Sequence, residues 1–193
     1  SQQAAFSAAK AKWEQVIIGD LANFTGTLNA SSCGNPTFNG TIDDVRIYVD
    51  LVPIDGPGQI LGAAGPCYIR TTGNLTILGY MKFDTDDLAD LELNGSLADV
   101  ALHEMGHVLG VGSLWEVVTP SLLVGAGTTN PYFTGANGVF RFDISGGSTY
   151  PGTPVPVENT GGTGTADGHW RESVMGRELM TGYISLTSNP LST

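Results

Sequence analysis

Phe6, Ala9, Trp13 and Val16/Ile17 recur at helical spacing near the start of the chain, which predicts a helix over 2–18, ended by Gly19, with Trp13 in the core. Residues 20–44 keep no period and contain the turn pair Asn39-Gly40, so a loop is expected there. Val45, Ile47, Val49 and Leu51 then alternate, the pattern of a strand over 45–52. A short strand over Gln59–Ala64, bounded by Gly-Pro pairs at 56-57 and 65-66, suits a sheet edge to which a peptide can add as a further strand. Residues 75–83 alternate again and lead into a run of aspartates, Asp84, Asp86, Asp87 and Asp90. A helix is predicted from Ser96, where Ser96-Leu-Ala-Asp99 resembles a capping box, to Gly110. Leu97, Ala101, Val108 and Leu109 are its inward positions, with Val100, His103 and His107 on the other side.

Beyond Gly110 the pattern changes. Twelve glycines fall between 111 and 168, and one strand pattern stands out, Gly138–Ile144. A stretch this long with so little regular structure reads as a functional insertion. The expected organisation is an N-terminal subdomain with sheet and helix at 1–110, an inserted Gly-rich subdomain at 111–168 and a closing segment at 169–193, together one α+β catalytic domain.

Composition narrows the function classes. At 193 residues, 41% hydrophobic and 14% charged, the chain can build a real core. No apolar run approaches the ~18 residues of a membrane span, and Ser1-Gln2-Gln3 opens no secretion leader, so a mature or trimmed product is expected. A net charge of −11, with eight Lys and Arg thinly spread, argues against a nucleic-acid partner. Cys33 and Cys67, 34 positions apart in a chain rich in Gly, Thr, Asn and Ser, predict one disulfide and a secreted or cell-surface protein, two free thiols being the alternative. Closing that loop contributes roughly 3 to 4 kcal/mol on the chain-entropy model. Asn23-Phe-Thr25, Asn29-Ala-Ser31 and Asn39-Gly-Thr41 fit the N-glycosylation pattern, which has meaning only in a host that makes such glycans.

The chemistry concentrates in His103-Glu104-Met105-Gly106-His107. Two histidines four apart on a helix share a face and can chelate one ion, and Glu104 between them lies beside any bound water as a candidate general base. With three His in the chain, about 0.002 such matches are expected by chance, so a solvated surface helix is the weaker reading. Three neutral imidazoles would leave a zinc ion positively charged with one open position, so that a zinc-bound water is activated by Glu104 and hydrolyses a peptide bond. The aspartates at 84, 86, 87 and 90 have two readings. They can ligate calcium, although they lack the glycine and terminal glutamate of an EF-hand loop, or they form the acidic start of a helix.

The motif HEMGHVLG, followed much later by Gly168-His169-Trp170 and then Glu178-Leu-Met180-Thr, resembles the leishmanolysin family of zinc metallopeptidases, a metzincin branch. In that branch a long insertion separates the motif from the third histidine. The uninterrupted metzincin pattern wants a histidine at 113, where this chain has Ser113. The resemblance implies a zincin-like metzincin domain: a twisted mixed sheet with an antiparallel edge strand, the zinc helix, the insertion and a Met-turn. It implies zinc ligation by His103, His107 and His169, catalysis by Glu104, and Met180 as the methionine beneath the metal. Metzincins generally begin with a strand and end with a helix after the Met-turn, so both ends of this chain read as trimmed. Tyr183 stands three residues after Met180 rather than two and is at best a pocket-wall residue, while Trp115 and Trp170 read as structural.

His169 is also the only imidazole left once His103 and His107 are assigned. A rival zinc site with two histidines and one glutamate would draw its third ligand from Glu158, Glu172 or Glu178. A surface adhesion module on a protease scaffold is the non-enzymatic alternative, but its usual mark is loss of the base, and Glu104 is present. The expected partner is a protein or peptide substrate, and the expected state is a monomer.

Overall fold

The computed structural model describes residues 1–147, 154–185 and 189–192. They group into two compact units, 1–110 and 111–193. The protein is mixed α+β.

The first unit begins with α1 (Gln2–Val16), two residues shorter than expected, and Val16, Ile17 and Ile18 are exposed. Ala9 is the one buried side chain of α1, and Trp13 is half-buried, its indole N–H donating to Leu102 O at 2.9 Å. Trp13 is thus a hydrogen-bonded clamp between helices and not a core residue.

Three strands form a mixed sheet: β3 (Arg46–Val52), β4 (Gly62–Ile69) and β5 (Thr76–Asp84), in the order β3-β5-β4. β3 runs parallel to β5 and β4 antiparallel, so an antiparallel strand does lie at an edge. It extends past the expected Ala64, and the Gly65-Pro66 pair lies within it, opposite Tyr80 and Gly79. An edge strand tolerates proline because the ladder bond it removes is on the unpaired side. β5 is buried along nearly its whole length rather than alternating, because the central strand is covered on both faces. Phe6 of α1 meets Phe83 edge-on at 5.0 Å between ring centroids.

The expected loop at 20–44 is instead a hairpin, β1 (Phe24–Leu28) and β2 (Phe38–Ile42), in the register Phe24↔Ile42. A 3₁₀ turn, Ala30–Cys33, lies between them. Gly26 pairs with Gly40, and a methyl added at either would meet the ring of Phe24 (3.1 Å) or Phe38 (3.3 Å). The aromatic rings lie over the glycines and supply the apolar face that the sequence pattern lacks. Leu28 and Ile42 pack with Ile77 and Leu78 of β5, and Cys33 is bonded to Cys67 of β4, the expected disulfide.

The aspartate run starts a helix. Asp87 is at the N-cap of α2 (Leu88–Asn94), and Asp90 is in its first turn. Asp84 is fully buried and accepts from the amides of Ile54, Asp55 and Gly56 through Oδ2 and from Asp86 through Oδ1, while Asp87 Oδ1 accepts from Gly58 at 2.6 Å. These carboxylates hold the 53–58 loop that leads to β4. Gly95 in the left-handed region closes α2, and α3 (Leu97–Leu109) follows at once. Ser96 is at its N-cap without a capping side-chain bond. α3 packs against α1, β4 and β5. It is buried nearly all round, Val100, Met105 and Val108 included, with Leu109 half-buried, so the expected inward and outward faces do not exist.

In the second unit, β6 (Leu123–Val124), β7 (Tyr132–Phe133) and β8 (Val155–Pro156) form a small antiparallel sheet. Trp115, Leu123 and Val157 make its core, with Phe133 and Trp170 packed against them, which bears out a structural part for Trp115 and Trp170. The strand expected at 138–144 is a helix, α4 (Ala136–Ile144). Its apolar residues fit either period, and a helix satisfies its amides internally where a strand would need a neighbour. A short helix, α5 (Glu172–Met175), completes the described elements.

The amides of Asp86, Asp55, Gly56 and Ile54 hold the Asp84 carboxyl below the usual carboxylate range, against burial, which acts upward. A depressed folded-state value means that the contribution is complete above the unfolded value of about 3.9 and is lost as pH falls through the folded one. Asp84→Asn is therefore expected to lower the thermal midpoint at neutral pH, with the gap to wild type closing as the pH is taken below about 4. Melting curves across that range check it; a gap that ignores pH counts against the assignment.

Candidate metal centre

Helix α3 carries His103, Glu104 and His107 within one turn and a half. The imidazoles of His103 and His107 stand edge to face with centroids 4.6 Å apart, and their Nε2 atoms are 2.9 Å apart. Two bonds of zinc to nitrogen at tetrahedral angles would set the nitrogens about 3.3 Å apart, so this pair needs little adjustment to share an ion.

His169 is buried, and its Nδ1 donates to Thr165 O at 2.8 Å, because a carbonyl can only accept. That bond fixes the tautomer and leaves Nε2 as the ligating atom, the usual arrangement behind a metal-bound imidazole. Burial pushes the His169 imidazole below its ordinary pKa, the Thr165 bond and Glu158 acting weakly the other way; the neutral, ligating form is favoured. Gly182 leaves room for this packing, since a methyl there would meet Thr165 Cγ2 at 2.4 Å and the His169 ring at 3.7 Å.

His103, His107 and His169 form a group in which one ligand atom from each lies within 4.8 Å of the others. Among the described residues these are the His, Cys, Asp or Glu side chains that can hold a metal ion together. Asp84, Asp86, Asp87 and Asp90 form no such group, and the oxygens of Asp84 are committed to backbone amides, so the calcium reading has no support.

The three glutamates proposed as rival ligands also stand outside the group. Glu158 Oε1 accepts from Asn159 N, Thr160 N and Thr160 Oγ1, and its Oε2 accepts from Glu172 N. Burial acts upward on the Glu158 carboxyl, but these bonds hold it below its ordinary value. Glu178 Oε1 accepts from Ser192 N and Oγ, and its Oε2 from Met180 N at 2.6 Å. It pins the turn in which Met180 is buried, and Trp170 N, next to His169, donates to Met180 O at 2.9 Å. Tyr183 is half exposed.

Glu104 is one of four acids, with Asp87, Asp143 and Glu172, that keep a buried oxygen without a partner among the described residues, and of these it is the one within the histidine motif. It is 5% exposed, and Oε2 is buried with no hydrogen-bond partner among the described residues. Burial pushes its carboxyl up to about 8. A buried carboxylate costs several kcal/mol unless paired, so an orphaned oxygen one residue from a histidine of the cluster fits a site whose missing partners are a cation and water. The donor set agrees: three imidazoles suit a borderline-soft divalent ion and leave a coordination position open. The sequence pattern could not reveal Thr165 as the residue that orients His169, because a backbone carbonyl carries no residue signature.

No protein-family model matches the chain.

If the three histidines hold the ion, His169→Ala should sharply lower metal retention, whereas Ala at Glu158, Glu172 or Glu178 should leave it in place in whatever protein still folds. Metal content after dialysis against a weak chelator decides it; retention without His169 would reassign the ligand set.

Proposed function

We propose that the chain is a zinc-dependent endopeptidase of the kind its motifs resemble, the leishmanolysin-like branch of the metzincins, acting on protein or peptide substrates outside the cell. The observation that carries this reading is the buried carboxylate of Glu104, its Oε2 without a partner among the described residues, set beside the first of three grouped imidazoles. When bound, a zinc ion supplies Lewis acidity that polarises a scissile carbonyl and lowers the pKa of water toward ~7.

This chain's own residues do the rest. His103, His107 and His169 bind through neutral imidazoles and keep the site's charge positive. Glu104 takes a proton from the attacking water and returns it to the leaving amine, a role that suits a carboxylate whose Oε2 finds no donor among the described residues. A divalent cation held by the three imidazoles would favour the charged carboxylate and act against the raised pKa that burial alone gives it. Burial of Glu104 and His107 limits competing water. Met180 floors the turn as a packing group and touches no chemistry.

A two-histidine, one-glutamate site is the weaker reading, because the oxygens of Glu158 and Glu178 already serve amides and hydroxyls. A non-catalytic adhesion module gives no reason to place a buried carboxylate between two of the grouped histidines. The disulfide suits an oxidising compartment, which agrees with secretion. No helix among the described residues is long and apolar enough to cross a membrane.

Casein or a quenched peptide library should be cut internally, with cleavage abolished by a chelator and restored by zinc. Glu104→Ala should retain the metal and lose turnover by more than about 10²-fold. Near-normal turnover in that variant removes Glu104 from the mechanism, and cleavage indifferent to chelation removes the metal.

A further inference from the structure

Gly62 is the first residue of β4, and the space in front of its Cα is filled by one side chain. A Cβ built there would meet Glu104 Oε1 at 2.8 Å, Cδ at 3.0 Å and Cγ at 3.1 Å, the three nearest heavy atoms all belonging to Glu104. Gly62 is not among the residues in the left-handed region, so alanine would bring no backbone strain. What the position requires is the missing methyl.

The other tight glycines differ in kind. At Gly79 a Cβ would meet Val108 Cγ1 at 2.5 Å and the Gly65 carbonyl at 2.8 Å, and at Gly112 it would meet the Gly168 carbonyl at 1.9 Å. Those sites keep backbone and core apart. At Gly62 the obstacle is a side chain and not backbone, and its nearest atom is the carboxylate oxygen itself. The strand itself is held, since Gly62 pairs with the fully buried Phe83 of β5. The carboxylate must therefore be the part that moves.

We infer that Gly62 is a positioning residue for Glu104: its lack of a side chain lets the carboxylate lie against the edge strand β4 where it can serve as the base. The catalytic consequence rests on the proposed function, whereas the steric claim stands on the contact alone. A general base acts within about 2.6–3.2 Å of the proton it takes, and a misplacement of about 1 Å can cost on the order of 10²-fold in rate.

Four proteins test this: wild type, Gly62→Ala, Glu104→Ala and the double variant, each measured for zinc content, thermal midpoint and, where active, kcat and KM on a peptide substrate. Gly62→Ala is expected to keep its zinc and its KM while kcat falls on the order of 10²-fold. Placing Ala at 104 removes Cγ, Cδ and Oε1, so any thermal cost of Gly62→Ala should disappear in the double variant. Turnover within about twofold of wild type in a zinc-loaded Gly62→Ala protein overturns the inference. Should Gly62→Ala fail to fold, recovery of folded, zinc-binding protein in the double variant supports the contact, and no recovery overturns it. Should wild type cleave nothing, the proposed function falls, and the steric claim is then read from the thermal midpoints alone: a cost relieved by Ala at 104 upholds it, and the same change in both backgrounds overturns it.

Discussion

Glu104 holds Oε2 away from water with no hydrogen-bond partner among the described residues, and most of what surrounds it makes sense as the means of keeping it there. Water would solvate that oxygen at no cost, so its burial must be imposed by packing around α3, which is enclosed on nearly every side. Val108 lies on β5 at Gly79, and Gly62 of β4 lies against the carboxylate. Two glycines in neighbouring strands thus let the helix come close to the sheet. A protein that selected only for stability would replace a carboxylate in that position by an apolar side chain.

Three other buried acids are well supplied with donors. Asp84 and Glu158 each receive four hydrogen bonds, and Glu178 receives three. These acids organise loops: the segment entering β4, the turn beside α5 and the turn around Met180. His169 donates to the Thr165 carbonyl, and Gly182 leaves room for its packing. Asp87, Asp143 and Glu172 each also keep one buried oxygen without a partner among the described residues, so what marks Glu104 is the combination of such an oxygen, a carboxyl that burial pushes up to about 8 and its place between His103 and His107.

Much of this was legible in the chain. The helical spacing of His103 and His107, with Glu104 between them, follows from 3.6 residues per turn, and the disulfide follows from two cysteines with no other partner. Strands β3 and β5 and helix α3 were readable because their apolar positions are long and regular. The hairpin at 24–42 was hidden because glycines occupy the positions that aromatic rings from the same strands cover. The segment 138–144 misled because Phe140, Phe142 and Ile144 alternate, while Phe140 and Ile144 equally lie one helical turn apart. Apolar spacing alone does not choose between those periods; a neighbour to bond with does.

By itself, then, the sequence determined which atoms are available for chemistry: three imidazoles, a carboxylate between two of them, and no fourth histidine. Only the tertiary structure decided that His169, 62 positions after His107, joins the other two within 4.8 Å, that Glu158 and Glu178 are occupied elsewhere, and that Gly62 borders the base. The physical reason is that local spacing fixes geometry only within an element. Which distant atoms meet, and which carboxylates find donors, depends on how backbone amides and side chains from remote positions are brought together, and a linear pattern does not encode those distances.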